Sequence, residues 1–182
     1  MKTRKLLIAL VAGVAMLGAA ACAATRTHKS AGETVDDAVI LGNVKTALIK
    51  DPSTSAHEID VEVFRGKVQL NGFVDSAHEK SQAAAVASRV EGVTAVQNNL
   101  EIGQKQTMGE YLDDATVTAK VKAALIQSPD TKAHEINVET ENGVVQLSGF
   151  VNSEKAREAA SAVARTVKGV KDVRNELSIR TS

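Results

Sequence analysis

The chain has 182 residues, 22 of them basic and 22 acidic, so its formal net charge is zero, and only 2% of its residues are aromatic. A neutral chain with so few aromatic rings lacks the electrostatic attraction and the stacking platforms of a nucleic-acid-binding surface, so we expect no nucleic-acid partner. The single cysteine, Cys22, excludes an intrachain disulfide, so apolar cores must hold the domains together.

The N-terminal segment predicts export from the cytoplasm. Basic residues precede an apolar stretch that is too short to span a membrane comfortably, and small residues follow, which predicts a signal peptide over residues 1–21. Two cleavage routes remain open, because Ala19 and Ala21 fit ordinary signal peptidase whereas Cys22 fits lipidation of its thiol. Both routes lead to the periplasm, and a lipid on Cys22 would also anchor the chain to the outer membrane. Residues 22–34 are polar and predict a flexible tether.

The rest of the chain contains one block twice. Residues 37–102 and 114–179 match at a constant offset of 77 without a gap. About half of the aligned positions are identical, which indicates a tandem duplication. The predicted organisation is a first domain over residues 35–102, a linker over 103–112 and a second domain over 113–180.

The first helix of each repeat is predicted from apolar residues with the i, i+4, i+7, i+8 spacing of one helical face. Asp37 and Asp114, with the aspartates that precede them, predict N-caps and favourable charge at the helix starts. Pro52 and Pro129 predict that the helices end before them.

The remaining pattern predicts a β-hairpin, a second helix and a last strand. The strands alternate apolar and polar residues, and Ser76 and Ser153 are the predicted N-caps of the second helices. Six glycines at the hairpin turns, within the second strands and after the second helices are predicted to be structural: Gly66, Gly72, Gly92, Gly143, Gly149 and Gly169. The predicted class is α+β, with two α-β-β-α-β modules. In each module two helices cover one face of a three-stranded mixed sheet, and the other face is open to solvent or to a partner.

These patterns resemble a known family. The run Val-Gln-Leu-(Asn/Ser)-Gly-Phe-Val at 68–74 and 145–151, the small-residue helix after it and the closing Gly-Val-x-x-Val-x-Asn-x-Leu resemble the BON domain. Residues 113–125 are similar to the osmotically inducible periplasmic group of dual-BON proteins, and Cys22 is similar to the dual-BON outer-membrane lipoproteins. The resemblance implies an envelope protein associated with osmotic or envelope stress. It also implies phospholipid binding or chaperone-like activity.

Phe73 and Phe150 are the first candidate binding residues. Strict alternation along the strand puts both rings on the open sheet face, which suggests a contact between the modules or with a ligand. The alternative is that Gly72 and Gly149 introduce a bulge that turns the rings into the core.

Tyr111 and Leu112 are the second candidates, together with Met108, at the start of the second repeat. This apolar cluster either packs as a hydrophobic staple or contacts a lipid or a partner.

Other polar residues predict structural roles. The His-Glu pairs at 57–58 and 134–135 lack the second histidine of a zinc-binding helix, so capping or a strand edge is expected. Asn98 and Asn175 point inward and predict hydrogen bonds that organise nearby backbone. No catalytic, cofactor-binding or metal-binding residues are predicted, and we expect no enzyme activity.

The sequence therefore predicts a non-catalytic envelope protein for stress or maintenance, which binds phospholipid surfaces through tandem modules. The expected partners are anionic phospholipid or other envelope proteins. The alternatives are a soluble periplasmic chaperone without lipid binding and a structural adaptor.

Overall fold

The computed structural model of the protein describes residues 31–104 and 106–180, and only the backbone of residues 31–35. The predicted signal peptide and Cys22 lie outside the described residues. Module 1 contains helix α1 (Ala31–Lys50), strands β1 (Ile59–Phe64) and β2 (Lys67–Val74), helix α2 (Ala77–Ser88), and strands β3 (Ala95–Asn98) and β4 (Glu101–Ile102). Module 2 contains helix α3 (Met108–Gln127), a short 3-10 helix (Ala133–Glu135), strands β5 (Ile136–Glu141) and β6 (Val144–Val151), helix α4 (Glu154–Arg165) and strand β7 (Asp172–Ile179).

Each sheet has the hairpin's second strand at its centre. β1 and β2 are antiparallel, and β3 joins β2 in parallel after the α2 crossover. β4 continues along β2 beyond β3, so β3 and β4 are two parts of one edge strand. In module 2 the order is β5-β6-β7, and β7 is uninterrupted. The predicted α+β class with two mixed sheets is confirmed.

Each module has its own apolar core between its two helices and one face of its sheet. Ala83 and Ala87 in α2, like Ala160 and Ala164 in α4, are completely buried. Such short side chains let the helix approach the sheet closely, which explains the alanine-rich sequence of both helices. The other buried members include Val44, Leu48, Val68, Leu70, Val74 and Leu100 in module 1, and Val121, Leu125, Val145, Leu147 and Val151 in module 2.

The predicted starts of the first helices are wrong. α1 begins at Ala31 and α3 at Met108, which are equivalent positions in the two repeats, so the helices extend into the predicted tether and linker. The N-cap of α3 is Thr107, which forms a capping box with Glu110. This local pairing satisfies two N–H groups at the start of α3, so this helix starts upstream of its aspartates.

Asp37 and Asp114 instead serve the hairpin turns. Both are buried within their helices. The Asp37 carboxylate accepts hydrogen bonds from the backbone N–H groups of Arg65 (2.8 Å) and Gly66 (2.9 Å). Asp114 does the same for the equivalent turn in module 2, where it lies 2.8 Å from the nitrogen of Gly143. The N–H groups of a buried turn require hydrogen-bond acceptors, and the two aspartates supply them from the neighbouring helix.

Candidate functional site

The open faces of the two sheets pack against each other, and we call this contact the module interface. Gln69 and Gln146 occupy equivalent places on β2 and β6, and both side chains are buried. The Gln69 Oε1 atom accepts a hydrogen bond from the Gly149 nitrogen (3.1 Å), and Gln146 Oε1 accepts one from the Gly72 nitrogen (2.7 Å). This reciprocal pair relates the two modules by an approximate two-fold axis.

The amide groups of the same glutamines complete the centre of the module interface. Gln69 Nε2 donates to Ser178 Oγ on β7 (2.7 Å), and Gln146 Nε2 donates to the Asn99 carbonyl oxygen (2.9 Å). Each buried glutamine therefore has its acceptor and its donor satisfied by the other module. A satisfied buried amide fixes orientation, because sliding the sheets would leave polar groups unpaired.

Gly72 and Gly149 make these hydrogen bonds sterically possible. Their φ angles are +114° and +120°, a conformation that residues with a Cβ atom rarely adopt. A Cβ atom at Gly72 would lie 2.2 Å from the Glu58 carbonyl oxygen, and one at Gly149 would lie 2.4 Å from the Glu135 carbonyl oxygen. The other four glycines that the sequence predicts to be structural also have positive φ: Gly66, Gly92, Gly143 and Gly169.

Phe150 lies in the module interface and not in a module core. The strands remain in register through the glycines, with Ile136 opposite Gly149, so no bulge turns the ring inward. Phe150 stacks on Phe64 of module 1, with ring centroids 5.3 Å apart and planes at 30°. The Arg180 guanidinium lies 5.5 Å from the Phe64 ring centroid, within the range of a cation–π contact.

The two ends of the module interface differ in chemistry. Glu141 stands at the position equivalent to Phe64, and Gly103 at the position equivalent to Arg180. Phe73, the counterpart of Phe150, is only half-buried. Glu141 Oε1 instead accepts a hydrogen bond from the Gln104 nitrogen (2.6 Å). One end is therefore aromatic and the other acidic.

Three glutamates near the module interface have raised pKa values. Burial, with a contribution from the Asp60 carboxylate, raises the pKa of Glu139 to about 7, and Lys122 opposes the shift. Burial is also the main cause that raises the pKa of Glu141 and of Glu58 above the ordinary value. Carboxylates that lose water without gaining a cation favour the protonated form.

Helix α3 carries large apolar side chains on a face that no described element covers. Tyr111 and Leu112 are 61% and 59% exposed, and Met108 and Ile126 are 75% and 73% exposed. On the other side of the helix, Val117, Val121 and Leu125 enter the core of module 2. Packing as a hydrophobic staple would bury this cluster, so the exposure contradicts that alternative.

The remaining polar candidates have structural contacts. The side-chain amides of Asn98 and Asn175 donate to the carbonyl oxygens of Lys80 (2.7 Å) and Arg157 (2.9 Å) in the neighbouring helices. The exposed His57 and His134 lie 3.5 Å and 3.8 Å from the carboxylates of their adjacent glutamates. The described residues contain no group of three or more potential metal ligands. No described helix is both long enough and apolar enough to cross a membrane.

Sequence reasoning missed Gln69, Gln146, Phe64 and Arg180 as interface residues. A signal for the glutamines was present, because each stands in a Val-Gln-Leu run that occurs in both repeats and points away from the apolar face. The partner of each residue depends on how the modules dock, and periodicity within one repeat carries no information about docking.

Two α+β modules that dock through their open sheet faces define a tandem-domain protein. Residues 36–104 and 113–181 match the BON domain family. The chain is 33% identical to osmotically-inducible protein Y of Escherichia coli, over 99% of this chain and 98% of that protein. It is 36% identical to the 21 kDa hemolysin of Actinobacillus pleuropneumoniae, over 80% and 75% of the two chains. It is 32% identical to outer membrane lipoprotein DolP of Haemophilus influenzae, over 90% and 84%.

The chain belongs to the BON-domain family and contains two copies of its domain. Its relatives include a protein named as osmotically inducible and one named as an outer membrane lipoprotein. The predicted location in the periplasm is confirmed by these relationships.

Proposed function

We propose that the protein is a non-catalytic envelope protein that binds phospholipid surfaces through the exposed apolar end of α3. The observation that carries the proposal is the exposure of Met108, Tyr111 and Leu112 together at the start of one helix. Tyr111 adds a ring with a polar tip, which suits the boundary between acyl chains and headgroups. The module interface occupies both open sheet faces, so helices and sheet edges remain for a ligand.

Apolar insertion would contribute more than charge to this contact. The exposed charged side chains of α3 are two acids and two bases: Glu110, Asp113, Lys120 and Lys122. Because these charges balance, we expect a modest preference for anionic lipid and a weak dependence on salt. A contact made mainly by charge would weaken steeply as salt rises.

Flotation with liposomes tests the proposal. The chain lacking residues 1–22 is used, so that an acyl group on Cys22 cannot contribute. We expect it to float with vesicles that contain anionic phospholipid, and Tyr111→Ser with Leu112→Ser to lower the bound fraction about tenfold, because two apolar side chains no longer insert. The matched control is Val39→Ser with Ile49→Ser, which removes two side chains of α1 that are 56% and 73% exposed.

Equal loss in both double variants would show that general surface hydrophobicity, and not this end of α3, carries binding. No flotation, combined with suppressed aggregation of an unfolded client, would favour the soluble chaperone. If the protein neither floats with liposomes nor suppresses aggregation, the structural adaptor would be favoured.

A further inference from the structure

Glu139 places a carboxyl group between the two modules. It projects from β5 and, with Lys45, His57 and Asp60 of module 1, lines a cleft of about 250 Å³. Its Oε2 atom would lie 3.0 Å from a Cβ atom built on Gly72, so the carboxyl group packs directly against the backbone of module 1. Separating the modules would return this group to water.

The charges that face Glu139 do not neutralise it. Burial and the Asp60 carboxylate on β1 disfavour the ionised form of Glu139. Lys122 on α3 favours the ionised form, but its effect is smaller. Lys45 and His57 line the same cleft without contributing to the shift.

Glu141, two residues further along β5, has the same imbalance. Burial is the largest cause of its raised pKa, and the carboxylates of Asp114, Glu58 and Asp75 add to it, against the hydrogen bond from the Gln104 nitrogen. Burial therefore disfavours the ionised form of both acids of β5 while the modules are docked.

At the other end of the module interface, an arginine neutralises the equivalent glutamate. Glu135, the equivalent of Glu58, pairs with Arg180 at 2.8 Å. The position equivalent to Arg180 in module 1 is Gly103, so the acidic end has a glycine where a compensating arginine would stand. The approximate two-fold symmetry therefore fails at this pair of positions, where one module has an arginine and the other a glycine.

We propose that pH controls the docking of the two modules: a protonated Glu139 side chain favours the closed module interface, and an ionised one favours its opening. The docked pKa of about 7 lies above the ordinary value of 4.5 for a glutamate in water. The stabilisation is therefore complete below the ordinary value and is lost as pH rises through the docked one. Between pH 6 and pH 8 the docking equilibrium constant should fall about tenfold.

Amide hydrogen exchange reports docking directly, because the Gly72 and Gly149 N–H groups donate to glutamine side chains of the other module. The protection factors, corrected for the intrinsic rate at each pH, are measured by NMR on the protein purified from the cell envelope. We expect protection of both glycines to fall about tenfold from pH 6 to pH 8, with the core amides of Val44 and Val121 unchanged.

Glu139→Gln keeps the shape of the side chain and removes its titration. We expect this variant to show little dependence on pH above 6, and to be about 30-fold more protected than the unmodified protein at pH 6 and about 300-fold more protected at pH 8. The matched control is Glu158→Gln, which neutralises an exposed glutamate of α4 and should keep the original pH dependence.

Asp60→Asn is the second variant, because it removes the neighbouring charge and retains an acceptor for Asn137, whose Nδ2 atom lies 2.5 Å from Asp60. Its pH dependence should move to lower pH. Circular dichroism checks the folding of each variant. If Glu139→Gln does not fold, the proposal is tested with Asp60→Asn alone. Protection that does not change with pH in the unmodified protein, or an unchanged midpoint in the variants that fold, would overturn the proposal.

Discussion

Replacing Phe150 with alanine should separate the stability of the module interface from the stability of the modules. The ring is buried against Phe64 and lies outside the apolar core of module 2 among the described residues. Burial of such a side chain contributes about 1.5–3 kcal/mol, and an aromatic pair adds about 0.5–1.5 kcal/mol. We therefore expect Phe150→Ala to weaken docking by about 3 kcal/mol, which is roughly 100-fold in the docking equilibrium.

The protection factors of the Gly72 and Gly149 amides measure this loss, and the amides of Val44 and Val121 report the module cores. The two glycines should lose protection about 100-fold, and the core amides should change little. Phe73→Ala is the matched control, since Phe73 has the equivalent place on β2 but is only half-buried. It should weaken docking by less than about 1 kcal/mol.

Two results would refute this reasoning. Equal loss of protection in the core amides of Phe150→Ala would mean that the ring stabilises module 2 itself. Equal effects of Phe73→Ala and Phe150→Ala would mean that burial against Phe64 is not the source of the stabilisation. A double-mutant cycle with Phe64→Ala isolates the ring pair, for which we expect a coupling of about 0.5–1.5 kcal/mol.

Further predictions concern stability and processing. Gly149→Ala should lower the free energy of unfolding by more than about 2 kcal/mol in urea, because its φ and the nearby carbonyl oxygen leave no room for Cβ. Gly42→Ala, with nothing within 4 Å of the new atom, should raise it by about 0.5–1 kcal/mol. Asp114→Ala should cost about 2–4 kcal/mol, since two turn N–H groups lose their acceptor, whereas exposed Asp113→Ala should cost less than about 0.5 kcal/mol. Lipidation at Cys22 predicts an intact mass that includes acyl chains on a chain that begins there, and an unmodified start would contradict it.

The fold could be predicted because two independent copies carry the same periodicity. Alternating residues define one apolar face in β1 and β5, and alanine stripes do so in α2 and α4. A pattern that occurs in both repeats rarely arises by chance. The N-caps Ser76 and Ser153 could also be predicted, since an N-cap before an amphipathic helix depends only on the local sequence.

The starts of α1 and α3 could not be predicted in the same way. An aspartate pair before an apolar helical stripe fits an N-cap, but it fits equally a buried acceptor for a turn that lies about 28 residues further along the chain. The sequence signal is the same in both cases. Only the tertiary distance between Asp37 and the Arg65–Gly66 turn, and between Asp114 and its own turn, decides which role is used.

The module interface could not be predicted for a related reason, and the two copies differ at some of the positions that form it. Identical modules would place the same side chain on both sides of the two-fold axis, so Asp60 would face a second aspartate. The second copy has Asn137 at that position instead, and its amide donates to Asp60. Likewise, Phe64 meets a ring at one end while Glu141 replaces it at the other. At these positions of the contact, each module therefore meets a side chain that differs from the one its own copy would present.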